Sequence, residues 1–198
     1  MLAKKRGREF WLDLAVSVSW GVYAAGYLAR VWAQRQLVDI GLLVFYTLVG
    51  IAFLRRAPAR ASGPWWETVL ALVSVFLPIV ALRPAEGGLP SLGGAVQVVA
   101  LVGIIAALLS LGRSFAIAPS DRGLVTRGLY RWVRHPLYAT QLCFYIGYLI
   151  ANPSWRNLAG LLAELALQIV RIRWEEGLLE GYAAYAAKVR WRLIPLIW

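Results

Sequence analysis

The sequence predicts an all-α integral membrane protein, a multi-helix bundle of five to six membrane helices with both termini on the cytoplasmic side. Three observations carry that expectation. Of the 198 residues, 60% are hydrophobic and 16% charged, whereas a soluble domain is nearer about 45–50% apolar. The apolar residues also come in long blocks, and about 20 helical residues cross the ~30 Å hydrocarbon layer. One such block can be a buried core helix, but five or six cannot. Finally, the Lys and Arg residues behind the net charge of +11 fall between the blocks. That placement marks helix ends facing the cytoplasm, and no motif for binding nucleic acid accompanies it.

The blocks run over 10–29, 37–54, 66–82, 95–112, 137–151 and 157–174. Lys4-Lys5-Arg6-Gly7-Arg8 precedes the first like the basic start of a signal peptide. The following run is too long for one and lacks a small-x-small cleavage site, so an uncleaved span is expected. Arg55-Arg56-Ala57-Pro58 ends the second block; Arg83-Pro84, Gly87-Gly88 and Pro90 separate the third from the fourth. Asn152-Pro153-Ser154 makes a tight turn between the last two, which can form a helical hairpin. Trp11, Trp32, Trp65, Trp66 and Trp155 lie near block ends, where aromatic belts form. The fifth block would rise only about 22 Å as a helix, short of the hydrocarbon thickness. Cys143 has no partner for an intramolecular disulfide, because it is the single cysteine. Its place on an apolar face suits a small core residue.

With the N-terminus inside, the cytoplasmic segments hold Lys4, Lys5, Arg6 and Arg8, then Arg55, Arg56 and Arg60. Arg113, Arg122, Arg127, Arg131 and Arg134 follow, then Arg171, Arg173, Lys188, Arg190 and Arg192. Only Arg30, Arg35, Arg83 and Arg156 fall outside. The bias puts both termini in the cytoplasm. In a bacterium the host bilayer would be the cell membrane.

The first four blocks carry almost no ionisable side chains in their middles; the polar chemistry lies in the C-terminal third. The segment from Arg113 to His135 is basic and contains glycine, and Arg134-His135-Pro136-Leu137-Tyr138 opens the next helix. Proline fits a first helical turn, and a helix N-terminus beside an arginine is a place for an anion. In the last block Glu164, Gln168, Arg171 and Glu175 are spaced four, three and four residues apart, on one helical face. Ionisable groups inside a membrane mark a functional site by default. A cavity containing His135, Tyr138, Arg171 and Glu175 is therefore expected between these helices. Each residue also has a plainer role. His135 can cap a helix at the interface, and Arg171 with Glu175 can be a surface ion pair. Tyr130 and Tyr138 can be packing aromatics, while Tyr182 and Tyr185 can anchor the tail at the interface.

Beyond these chemical readings, the spaced set resembles a known family. Gly123-Leu124-Val125-Thr126-Arg127-Gly128-Leu129-Tyr130, then Arg134-His135-Pro136-Leu137-Tyr138, then Arg171-x3-Glu175-Glu176, and Tyr182-x2-Tyr185 with Leu193-Ile194-Pro195 resemble the isoprenylcysteine carboxyl methyltransferase family. The wider group includes phospholipid methyltransferases. The resemblance covers about residues 100–198, and the segment after Glu176 is shorter than the family's usual run. It implies a methyltransferase dependent on S-adenosyl-L-methionine, with the cofactor in a cytoplasm-facing pocket and a lipophilic acceptor arriving from the bilayer. Residues 1–112 would then be N-terminal transmembrane helices, and 113–198 the cofactor-binding and catalytic region with its tail. By position, Arg122, Gly123, Leu124, Val125, Tyr130, His135, Pro136, Leu137, Tyr138 and Glu175 would hold the cofactor. Arg171 would meet the acceptor's carboxylate; were the nucleophile an amine, Glu164 is the nearest base on that face. No metal is expected. A membrane reductase of the sterol type using NADPH and a non-enzymatic membrane component remain the alternatives.

Overall fold

The computed structural model describes residues 7–194 and residue 198. Lys4, Lys5, Arg6 and Pro195, which entered the sequence argument, lie outside the described residues. Seven α-helices fill the described chain: α1 Gly7–Gln34, α2 Leu37–Arg55, α3 Trp65–Ala81, α4 Pro90–Leu111, α5 Pro136–Ala151, α6 Trp155–Leu178 and α7 Tyr182–Lys188. The first six match the six apolar blocks within a few residues at most ends. Two short strands, β1 Ala61–Ser62 and β2 Ser120–Asp121, pair antiparallel and tie the α2–α3 connection to the long loop after α4.

Local sequence sets the helix boundaries. Pro90 and Pro136 each stand in the first turn of their helix, where the missing N–H costs no hydrogen bond. The Ser154 hydroxyl accepts from the Asn157 N–H at 3.1 Å and caps α6. Asn157 is fully buried and also bonds both backbone groups of Arg83, at 3.0 and 2.9 Å, and the Asn152 carbonyl at 2.7 Å. One side chain thus satisfies backbone groups from two connections at the same end of the bundle.

Three helices are long and apolar enough to cross a bilayer among the described residues: Glu9–Gln34, Leu37–Arg55 and Pro90–Ser114. Trp65–Ala81 and Pro136–Ala151 are apolar but shorter. Length and composition thus support three of the five to six expected membrane helices among the described residues. Helix α6 has the length but carries Glu164, Gln168, Arg171, Arg173, Glu175 and Glu176.

Helices α1 and α2 form one hairpin, α4 and α5 a second, and α2 joins the two by packing on α4; α3 packs chiefly on α6. In the second hairpin the backbones come very close. A Cβ on Gly147 would lie 2.9 Å from the Gly93 carbonyl oxygen and from the Gln97 side chain. Small residues allow such approach in membrane bundles, where dispersion contacts replace a hydrophobic driving force. Trp20, Val49, Phe53, Leu108 and Phe115 form the core between the hairpins. A second core of Tyr138, Leu142, Leu161, Ile172 and Leu193 lies between α5, α6 and the tail. Outside these cores α4 leaves Val99, Val102 and Leu109 mostly exposed, a surface suited to lipid rather than water.

Buried carboxylates near helix ends are paired across the hairpin. Arg56 binds Asp13, with Nε–Oδ1 at 2.9 Å, and Arg30 binds Asp39 at 3.0 Å. The sequence reading missed both pairs, because their partners are distant along the chain or sit across a turn.

Candidate active site

The loop after α4, the mouth of α5, the end of α6 and α7 enclose a cavity of about 710 Å3, counting its open mouth. Arg122, Gly123, Leu124 and Val125 form one wall. This wall is shaped by Asp121, whose Oδ1 accepts from the Gly123 N–H at 2.8 Å, and by Gly123 itself at φ +101°. A side chain at that φ would strain the loop. Arg122 donates to the Ala57 carbonyl, which ties the loop to the α2–α3 connection. Burial lowers the Arg122 guanidinium to about 10, assisted by the positive charge of Arg56.

The mouth of α5 supplies the opposite wall. His135, Leu137 and Tyr138 line the cavity, as does Tyr130 from the preceding turn. Pro136 does not line it; buried at the first helical position, it sets the direction of α5. Glu175 reaches in from α6, accepting a hydrogen bond from the Tyr138 hydroxyl, with Oε2 3.9 Å from His135 Nδ1. Nine of the ten residues expected to hold a cofactor thus surround one space.

Arg171 stands apart. The sequence placed it in a common cavity with His135, Tyr138 and Glu175, yet it is absent from the cavity wall. Its guanidinium is buried behind the Tyr138 ring. There Nη1 donates to Ser74 Oγ at 3.0 Å and Nη2 to the Ile117 carbonyl at 2.9 Å. Ser74 in turn donates to both oxygens of Glu164, and Gln168 donates to Glu164 Oε1 at 3.1 Å. The predicted helical face is therefore real but divided. Glu164, Gln168 and Arg171 form a buried network against α3, and only Glu175 reaches the cavity. A shared face fixes direction; the bulk of Tyr138 decides which residues see the same space.

Three features were missed. The anion expected at the α5 mouth is supplied by the protein's own Glu176, whose Oε1 lies 3.2 Å from His135 Nε2 and 3.6 Å from Arg134 Nη1. The adjacent Glu175-Glu176 pair was visible in the sequence, but which member would face inward was not. Burial raises the Glu176 carboxyl, but hydrogen bonds from His135, Tyr182 and Arg192 outweigh it and hold the group at about 2. Tyr182 and Tyr185, read as interfacial anchors, are instead buried and line the cavity. The Tyr185 hydroxyl donates to the Tyr130 carbonyl at 2.7 Å, and burial pushes that phenol up to about 12. Ser74 carried no sequence signal at all.

Residues 90–185 match the model of the phospholipid methyltransferase family. No curated protein matches the chain. Among solved structures, the chain is similar to the eukaryotic intramembrane Ras methyltransferase, isoprenylcysteine carboxyl methyltransferase, without a monobody. The identity is 20% and the TM-score 0.47, over 94% of this chain and 73% of that one. The matched region contains the α4–α5 hairpin, the cavity loop, α6 and the start of α7. Over residues 90–185, just under half of its length, the chain is thus similar to the phospholipid methyltransferase family.

Proposed function

We propose that the cavity binds S-adenosyl-L-methionine and that the protein methylates a lipophilic acceptor, of the prenyl or lipid type, from the cytoplasmic side of the bilayer. The observation that carries this reading is the convergence of the Arg122–Val125 loop, Tyr130, the His135–Tyr138 helix mouth and Glu175 on one space. The chemistry of the wall fits the cofactor. Leu124, Val125 and Leu137 offer apolar surface to a flat ring, and Glu175 is a carboxylate suited to a cationic ligand. Gly123 permits close approach of the loop backbone.

When bound, the cofactor supplies an electrophilic methyl group on a sulfonium. Methyl transfer is an in-line displacement that gains chiefly from positioning, which is what the protein's residues provide. Tyr138 fixes Glu175 through its hydroxyl, and its ring separates the cavity from Arg171. Arg171 has two of its nitrogens committed to Ser74 and Ile117, while its buried Nε has no hydrogen-bond partner. That donor suits a carboxylate acceptor, which is deprotonated at neutral pH and needs no base. Exposed apolar surfaces on α1, α2 and α4 are where the bilayer lies, so the acceptor would approach from that side.

The test uses the purified protein in detergent. S-adenosylhomocysteine should raise its melting temperature and NADPH should not. Labelled methyl from S-adenosylmethionine should appear in a product extracted from a membrane lipid fraction. Stabilisation by NADPH alone would replace this reading with the reductase.

A further inference from the structure

Glu175 faces the cavity, but its neighbour Glu176 does not line it and has no part in the chemistry above. It is nevertheless the most heavily engaged carboxylate of the region. Its Oε1 accepts from the Tyr182 hydroxyl at 2.5 Å, from Arg192 Nε at 3.1 Å and from His135 Nε2 at 3.2 Å. Arg134 Nη1 adds a fourth contact at 3.6 Å. Two of these groups belong to the mouth of α5, and two to the chain that follows α6.

That following segment, 179–192, is a wall of the cavity through Leu179, Tyr182 and Tyr185. Besides Glu176, it is held to the α5 mouth by two backbone bonds, Arg134 N–H to the Trp191 carbonyl at 2.8 Å and His135 N–H to the Arg192 carbonyl at 2.9 Å. At its start the chain leaves α6 in an extended conformation at Leu179, and Gly181 turns it into α7 at φ +75°. The segment is thus a strap. It is joined to α6 by a turn of about three residues and pinned at its far end, with one carboxylate at the centre of the pins.

We propose that Glu176 is a positioning residue that latches the 179–192 strap across the cavity and so sets how long a bound cofactor stays. The inference rests on reading the cavity as the S-adenosylmethionine site. Arg134 and Arg192 both need a negative partner, and a partly buried charge stripped of its partner is strongly destabilising. Removing the Glu176 charge therefore loosens the far end of the strap first, because the attachments that remain, the Tyr185–Tyr130 and Arg134–Arg190 hydrogen bonds and the packing of Tyr182, Tyr185 and Val189 on Leu124, do not answer the charges of Arg134 and Arg192. Opening of this kind governs entry and release in many enzymes with lids.

The test compares wild type with Glu176→Gln, Arg192→Gln and the double variant, all as full-length protein in nanodiscs. Glutamine keeps the size and an acceptor oxygen but loses the charge, so the fold is retained. Hydrogen exchange of peptides from 179–192 in the ligand-free protein should rise about tenfold in Glu176→Gln, with exchange in α4 and α5 as in wild type. S-adenosylhomocysteine should dissociate about tenfold faster, and KM for S-adenosylmethionine should rise by more than kcat falls. The double variant should be no worse than Glu176→Gln alone, because both substitutions remove one interaction. The proposal is overturned if exchange in 179–192 does not change, if it changes together with that of α4 and α5, or if it rises while ligand dissociation stays at the wild-type rate. Should wild type bind no S-adenosylhomocysteine, the cofactor reading fails and the proposed control of residence fails with it. The exchange measurement then decides separately whether Glu176 holds the strap.

Discussion

The guanidinium carbon of Arg171 lies 5.1 Å from the centroid of the Tyr138 ring, on which it stacks. The same tyrosine donates its hydroxyl hydrogen to Glu175. One aromatic side chain therefore stands between the arginine expected to meet the acceptor and the carboxylate expected to meet the cofactor, and touches both. Arg171→Ala should leave S-adenosylhomocysteine affinity within about threefold of wild type, because the cavity wall keeps its residues. Turnover should fall about 100-fold, the scale of a misplaced reacting group. Calorimetry and labelled methyl transfer on the same preparation check the split. Equal loss of binding and turnover would move Arg171 into cofactor binding.

Glu175→Ala should abolish detectable cofactor binding, a loss of about 100-fold or more, since a charged hydrogen-bonding group is removed from the wall. Glu175→Gln is the sharper probe. It keeps an acceptor for Tyr138 but no charge, so the sulfonium of S-adenosylmethionine should lose more affinity than the neutral sulfur of S-adenosylhomocysteine. Competition binding of the two ligands measures the difference. Wild-type binding by Glu175→Ala would remove this residue from the site.

Gly147→Val should separate α4 from α5. A Cβ there would already fall 2.9 Å from Gly93 O and 3.0 Å from the Gln97 nitrogen, and backbone atoms cannot yield as a side chain can. Overpacking a close contact costs about 1–3 kcal/mol or more. The expected readout is a lower melting temperature and a larger share of aggregate on size-exclusion chromatography. Gly177→Ala, where a Cβ meets nothing within 4 Å, is the matched control and should behave as wild type.

Acid should release the strap. The Glu176 carboxyl is held at about 2 in the folded protein, against an ordinary value of 4.5. A depressed acid stabilises the fold fully above its ordinary value and loses that contribution as pH falls towards the folded one. The stability difference between wild type and Glu176→Gln should thus be constant above about pH 5 and shrink progressively between about 4.5 and 2. Melting temperatures of both proteins over that range give the curve, and a difference independent of pH would contradict it.

Much of the architecture was written locally. Hydrophobic block length gave the six main helices, because a helix in lipid satisfies its own backbone and must be apolar over its length. Pro90, Pro136 and Ser154 marked helix starts for equally local reasons. The His135–Tyr138 mouth and Glu175 could be singled out from helix-start chemistry and helical spacing, whereas the loop from Arg122 to Val125 was named only through the family resemblance. The Asp13–Arg56 ion pair and the Arg171–Ser74 hydrogen bond could not, since their partners are 43 and 97 residues apart.

The sequence by itself determined a helical membrane protein with its polar chemistry in the C-terminal third, and a candidate set of side chains for its site. The tertiary structure decided which of them share a space. It placed Tyr138 between Arg171 and the cavity, turned Glu175 inward and Glu176 towards the strap, and buried Tyr182 and Tyr185 in the wall. Helical periodicity fixes the direction in which a side chain leaves its helix, whereas the neighbour it meets depends on how separate helices pack, and no local spacing encodes that.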